Sequence, residues 1–172
     1  MRRSLFLTLT LAATAGLLLS LPAAYADTVS LTLSNPTESG VSPSFVTFDA
    51  TVSAPGTNAA DVYLNADSYN VDAPLTLDDS DFFNNFPFFL TPGQTFTGDL
   101  FVVTIPSATP LYSSYNGYFE ILGGPTDTDA NLLSSAPFTV YVTPEPSSFL
   151  LLGTGIAGMI AAFKRRRNNL LG

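Results

Sequence analysis

The amino-acid sequence predicts an all-β sandwich. Between residues 27 and 143 it divides into about seven short runs of strand character, separated by Pro and Gly, with no amphipathic helical stretch among them. Charge marks off the same region. All six basic residues lie outside it, at Arg2, Arg3 and Lys164 to Arg167, whereas thirteen of the fourteen acidic residues lie within it, so residues 27–143 contain no Lys, Arg or His. Cysteine is absent from the whole chain. Burial alone must therefore hold this domain together, and a region of this size commonly buries about two thirds of its unfolded surface.

The strand runs follow in order. Thr28 to Ser34 alternates Val29, Leu31 and Leu33 with Ser and Thr, the period of a half-buried strand. Phe45 to Val52 is a second, bounded by Pro43 and by Pro55-Gly56. Asp61 to Val71 is a third, with Val62 and Leu64 on one face and Tyr63 on the other. Residues 72–93 are the least regular part. They hold Asp78, Asp79 and Asp81 and then Phe82, Phe83, Phe86, Phe88 and Phe89, which either close one end of the core or form an exposed patch for a ligand or partner. Thr91-Pro92-Gly93 is a turn into the long strand Gln94 to Ile105, which stops at Pro106. Tyr115 to Leu122 and Pro137 to Val142 complete the set, joined by the polar turn TDTDAN.

Several classes of function are excluded by composition. Nucleic acids and anionic membrane surfaces are held by Lys and Arg, and the domain has none. Without Cys, His, Lys or Arg, nucleophile–base pairs, histidine metal sites and cationic oxyanion clamps cannot be built, which leaves only paired carboxylates, with Glu120 the one Glu well inside the domain. No cofactor is expected, and the chain reads as non-enzymatic. Asp127, Asp129 and Asn131 open like a calcium loop. Leu132 and Phe138 stand where an EF-hand needs Gly and Glu, so only a looser calcium site, here or at Asp78, Asp79 and Asp81, stays open beside solvated turns.

Both ends carry targeting patterns. A basic start, an apolar stretch, Pro22 and the small-x-small site Ala24-Tyr25-Ala26 form a signal peptide over residues 1–26, cut by signal peptidase after Ala26. At the other end, residues 144–172 comprise Pro144-Glu145-Pro146, the apolar run Phe149 to Phe163 and the basic cluster Lys164, Arg165, Arg166 and Arg167. The run reads as one short transmembrane helix of about 22 Å, with the basic cluster keeping its end in the cytoplasm. Gly153, Gly155 and Gly158 spell G-x-G-x-x-G, but no acid follows and no βαβ unit can be completed, so membrane-helix composition explains them.

Two resemblances add to this. Pro92-Gly93, a long strand ending in Pro106, Tyr-x-Gly-Tyr over Tyr115 to Tyr118 and the run Phe138 to Val142 resemble immunoglobulin-like or fibronectin-type antiparallel sandwiches of bacterial surface proteins. That implies a tyrosine corner at Tyr115 or Tyr118. The tail is similar to PEP-CTERM sorting signals. This implies an exosortase as partner, processing near Pro144 to Pro146, and tethering at the inner membrane with the domain in the periplasm. Release to the surface or extracellular matrix follows, in the company of biofilm and exopolysaccharide. A permanently anchored module that binds saccharide or calcium is the alternative.

Overall fold

The computed structural model describes residues 27–144 and 150–160. Nine strands and one short helix build two facing sheets. The strands are β1 (Ser30–Leu33), β2 (Thr37–Val41), β3 (Ser44–Ser53), β4 (Val62–Val71), β5 (Thr76–Asp78), β6 (Phe89–Leu90), β7 (Thr95–Ile105), β8 (Ser113–Gly124) and β9 (Asn131–Thr143), with helix α1 (Ser80–Asn85) between β5 and β6. One sheet has the order β1-β3-β7-β5 and the other β2-β9-β8-β4-β6. The sandwich expected from the sequence is present.

Alternation places the core. On β3, Phe48, Ala50 and Val52 are buried and their neighbours are not; β9 does the same with Ala136, Phe138, Val140 and Val142. Phe48 and Phe101 from one sheet meet Phe119 and Phe138 from the other, with ring centroids 4.9 Å apart for Phe48–Phe101, 5.0 Å for Phe48–Phe138 and 5.1 Å for Phe101–Phe119. A bulge between Phe48 and Asp49 in the β3–β7 register turns two successive β7 residues, Leu100 and Phe101, into the core. Gly117 faces the ring of Phe138: a Cβ there would come within 2.3 Å of Phe138 Cζ and 2.5 Å of the Asn70 carbonyl oxygen.

Four expectations need correcting. Among the described residues the strands number nine, because β2, β5 and β6 are short and polar or embedded in the irregular stretch, so they lack an alternating signal. The sandwich is not wholly antiparallel, since β2 runs parallel to β9 with Thr37 opposite Thr139 and Val41 opposite Thr143. The tyrosine corner is not found. Tyr115 is buried and Tyr118 is exposed, and among the described residues neither hydroxyl donates to upstream backbone. Of the membrane-spanning helix expected over Phe149 to Phe163, the described residues show a helix at 150–160, about 16 Å against a hydrocarbon core of about 30 Å, and among the described residues no helix is long and apolar enough to cross a membrane. Residues 149 and 161–163 lie outside the described residues.

Gly117→Ala is expected to destabilise the fold by about 1–3 kcal/mol, because neither the Phe138 ring nor the Asn70 carbonyl can withdraw without disturbing the core. A thermal melt that moves by less than one degree would show that the contact yields freely.

Candidate functional site

Two regions carry the candidate chemistry: the crossover from β5 to β6, and the junction where β9 gives way to the tail. The crossover passes from the edge of one sheet to the edge of the other, since β5 pairs with β7 and β6 pairs with β4. Its five phenylalanines divide between the two roles foreseen for them. Phe82 and Phe86 are buried and close this flank of the core, Phe82 against Phe119 at 5.7 Å and Phe86 against Phe96 at 5.1 Å. Phe83 is 54 % exposed and Phe88 59 %, and Phe89 is also exposed. Tyr63 lies 5.6 Å from both Phe88 and Phe89 and completes the outer aromatic group.

The acidic residues beside it divide similarly. Asp78 accepts a hydrogen bond from the Ser80 N–H at 3.0 Å, and that bond holds its carboxyl below the usual range. Asp79 occupies the N-cap position of α1 yet makes no capping hydrogen bond. It faces Asp67 on β4 instead. A bulge between Leu64 and Ala66 shifts the alternation of β4, so that Asp67 pairs with buried Ile121 and turns toward the core side, where its Oδ2 has no hydrogen-bond partner. Burial first, and the neighbouring Asp79 second, push the Asp67 carboxyl up to about 6. The same desolvation and acidic neighbours raise the Tyr69 phenol.

The other candidates do not assemble. Asp129 Oδ2 accepts from the N–H and hydroxyl of Thr126 at 2.8 and 2.7 Å, and Asn65 Nδ2 donates to the carbonyls of Thr126 and Asp129, both at 2.8 Å. Those contacts tie the 126–129 turn to itself and to β4. Among the described residues no group of three or more acidic side chains converges as a metal site. Glu120 is in register with Ser68 and Ser135, whereas Asp67 is in register with Ile121, so the two carboxylates point to opposite faces of their sheet.

At the junction, β9 keeps its pairing to the end. Val142 is buried opposite Ser113, Thr143 stands opposite Val41, and the Thr143 hydroxyl donates to the Gly40 carbonyl at 3.3 Å. Pro144 follows at once, and its lack of an N–H ends the ladder. The helix beyond leaves Leu150, Leu151, Leu152, Met159 and Ile160 largely exposed. A Cβ added at Gly153, Gly155 or Gly158 would meet nothing within 4 Å, so these glycines stand in open space. Of the sorting and processing positions only Pro144 is within the described residues; Glu145, Pro146, Lys164 to Arg167, and Ala24 and Ala26 lie outside them.

Comparison with protein families matches residues 142–167 to the PEP-CTERM protein-sorting motif. This stretch is a PEP-CTERM sorting motif. Its first residues are the last of β9, so the PEP-CTERM segment starts inside the folded sheet. The motif implies an exported protein with a membrane-anchored sorting signal, processed by an exosortase. A comparison with curated proteins finds no match. Among solved structures, the sixth cohesin of scaffoldin B from Acetivibrio cellulolyticus, crystallised with a Cel5 dockerin, is similar at 13 % identity. It covers 69 % of this chain and 99 % of the cohesin chain, with a TM-score of 0.31. The two-sheet architecture is accordingly read from the strand pairing itself.

Asp67 makes a testable contribution to stability. Its folded-state pKa is raised, so the contribution is full below the ordinary carboxylate range and is lost as pH rises through about 6. Asp67→Asn is expected to stabilise the protein by about 1 kcal/mol at pH above 7, after discounting for a half-exposed group, and to flatten the pH dependence of the melting temperature between about pH 4 and 7. Parallel pH profiles of variant and parent would refute this reading.

Proposed function

We propose that the chain is an exported, non-enzymatic component of the cell surface or extracellular matrix, delivered by its PEP-CTERM motif and separated from it near Pro144 to Pro146. The match over residues 142–167, which begins in the last strand of a domain whose strands and core cluster lie at or before Thr143, carries this reading. Cleavage past Thr143 removes no ladder partner and no core residue, so the product keeps its fold. The apolar residues of the motif anchor the precursor in the membrane, with Lys164 to Arg167 next to the headgroups. The inventory of the domain supports a structural role, since residues 27–143 offer no cation, imidazole or thiol, and Glu120 and Asp67 face apart. An acidic domain of this kind stays soluble by self-repulsion and fits a matrix of neutral polymer, including exopolysaccharide.

A second reading has one observation in its favour. The exposed rings of Phe83, Phe88 and Phe89 beside Tyr63 form a surface on which the apolar faces of a saccharide could stack. Specific retention on a glycan array, lost on Phe88→Ser, would support that module.

The sorting reading is checked by the intact mass of the exported protein in its native host. The expected mass corresponds to a chain that starts at Asp27 and ends near Pro144 to Pro146. A mass that retains the whole tail would count against processing and favour permanent anchoring.

A further inference from the structure

Strand ends and loops converge where the sorting motif leaves the sandwich. Val41 at the end of β2 lies opposite Thr143, the Ser42 hydroxyl donates to the Pro106 carbonyl at 2.7 Å, Ser44 lies opposite Ile105, and the Tyr112 N–H donates to the Val142 carbonyl at 2.7 Å. These contacts join residues 40–45, 104–114 and 141–144 into one pole of the domain.

That pole differs in chemistry from the rest of the surface. Although residues 27–143 carry thirteen carboxylates, none falls in residues 40–45, 104–114 or 141–144 that build it. Asp72, on the β4–β5 connection, stands back from it beside Asn116, whose N–H it accepts at 2.9 Å, three residues along β8 from Ser113. In place of charge the pole exposes rings and an aliphatic side chain: Phe45 is 70 % exposed, Leu111 49 % and Tyr112 84 %. Tyr112 also has a φ of 58°, in the left-handed region that costs a side-chain-bearing residue about 1–2 kcal/mol. The strain points a large ring away from the domain, where burial inside the protein offsets nothing.

We infer that this pole seats on the lipid bilayer, with Phe45, Leu111 and Tyr112 in the headgroup region, while the tail anchors the precursor. This rests on the membrane reading of the tail. Two observations select lipid as the occupant. First, only the six residues 144–149 separate Thr143 from the helix of exposed apolar residues, and six residues reach at most about 20 Å, so the pole cannot leave the membrane face. Second, a domain lying on its side would bring carboxylates against anionic headgroups, whereas an upright one presents its single carboxylate-free end. The attraction is apolar, so the domain's lack of cations is no obstacle: Tyr, Phe and Leu are side chains that partition at the membrane interface. An upright seat also fixes Pro144 to Pro146 at the membrane surface, within reach of a membrane-embedded processing enzyme.

The chain contains no Trp, which permits single-reporter variants of the full chain reconstituted in phosphatidylcholine vesicles with brominated acyl chains. Tyr112→Trp is expected to be quenched about twofold, as for a ring about 5–10 Å inside the interface. Phe88→Trp, also exposed but at the opposite pole, is expected to keep its intensity, and Ile156→Trp reports the tail. Quenching in Ile156→Trp without quenching in Tyr112→Trp overturns the seat alone and leaves the tail reading intact. No quenching in Ile156→Trp overturns both. Equal quenching of Tyr112→Trp and Phe88→Trp overturns the upright pole. Phe45→Trp repeats the measurement if Tyr112→Trp fails to fold.

Discussion

The sandwich depends on four phenylalanine rings. Phe48 and Phe101 come from one sheet, Phe119 and Phe138 from the other, and each is almost wholly removed from water. In a domain with no cation to pair with its carboxylates and no cysteine to cross-link it, the free energy that opposes chain entropy and thirteen like charges must come from such burial. Other features of the fold accommodate the rings. Gly117 is small because Phe138 lies over it, and the β7 bulge turns Phe101 inward beside Leu100. Phe82 extends the cluster across the open flank from α1.

The same packing explains why the two ends of the domain are so different. At one end the crossover from β5 to β6 brings acidic and aromatic residues together, with a half-buried Asp67 that is comfortable only when protonated. At the other, β2 adds itself alongside β9 and secures the last strand up to Thr143. A sorting motif that follows so tightly bound a strand can be cut without loosening what precedes it.

How much of this was legible in the sequence depended on alternation. β1, β3, β4 and β7 were visible because their apolar residues recur every second position, and β9 was visible only from Pro137 because Leu132, Leu133 and Ser134 break the period at a bulge. β2, TESGV, has no apolar face to announce it; its edge position needs only backbone pairing. The six-residue helix is too short to show a helical period. Asp67 illustrates the limit for the site: simple alternation from Val62 and Leu64 puts Ala66 inside, and the bulge at Asn65 hands that place to the acid. The tail was legible as a whole because motif, apolar run and basic cluster are contiguous in sequence, whereas the uncharged pole is assembled from three separate stretches whose common lack of acids means little until the fold unites them.

One consequence of the strand order concerns where the chain's two ends emerge. Ser30 at the start of β1 is opposite Ser53, the last residue of β3, whereas the first residue of β3 lies by Pro106 and the exit of the tail. Asp27 and Pro144 therefore leave from opposite poles, separated by roughly the length of β9, about 40 Å for 13 residues. In the proposed membrane-seated precursor the domain is thus a spacer, and Asp27 stands at the end held farthest from the bilayer.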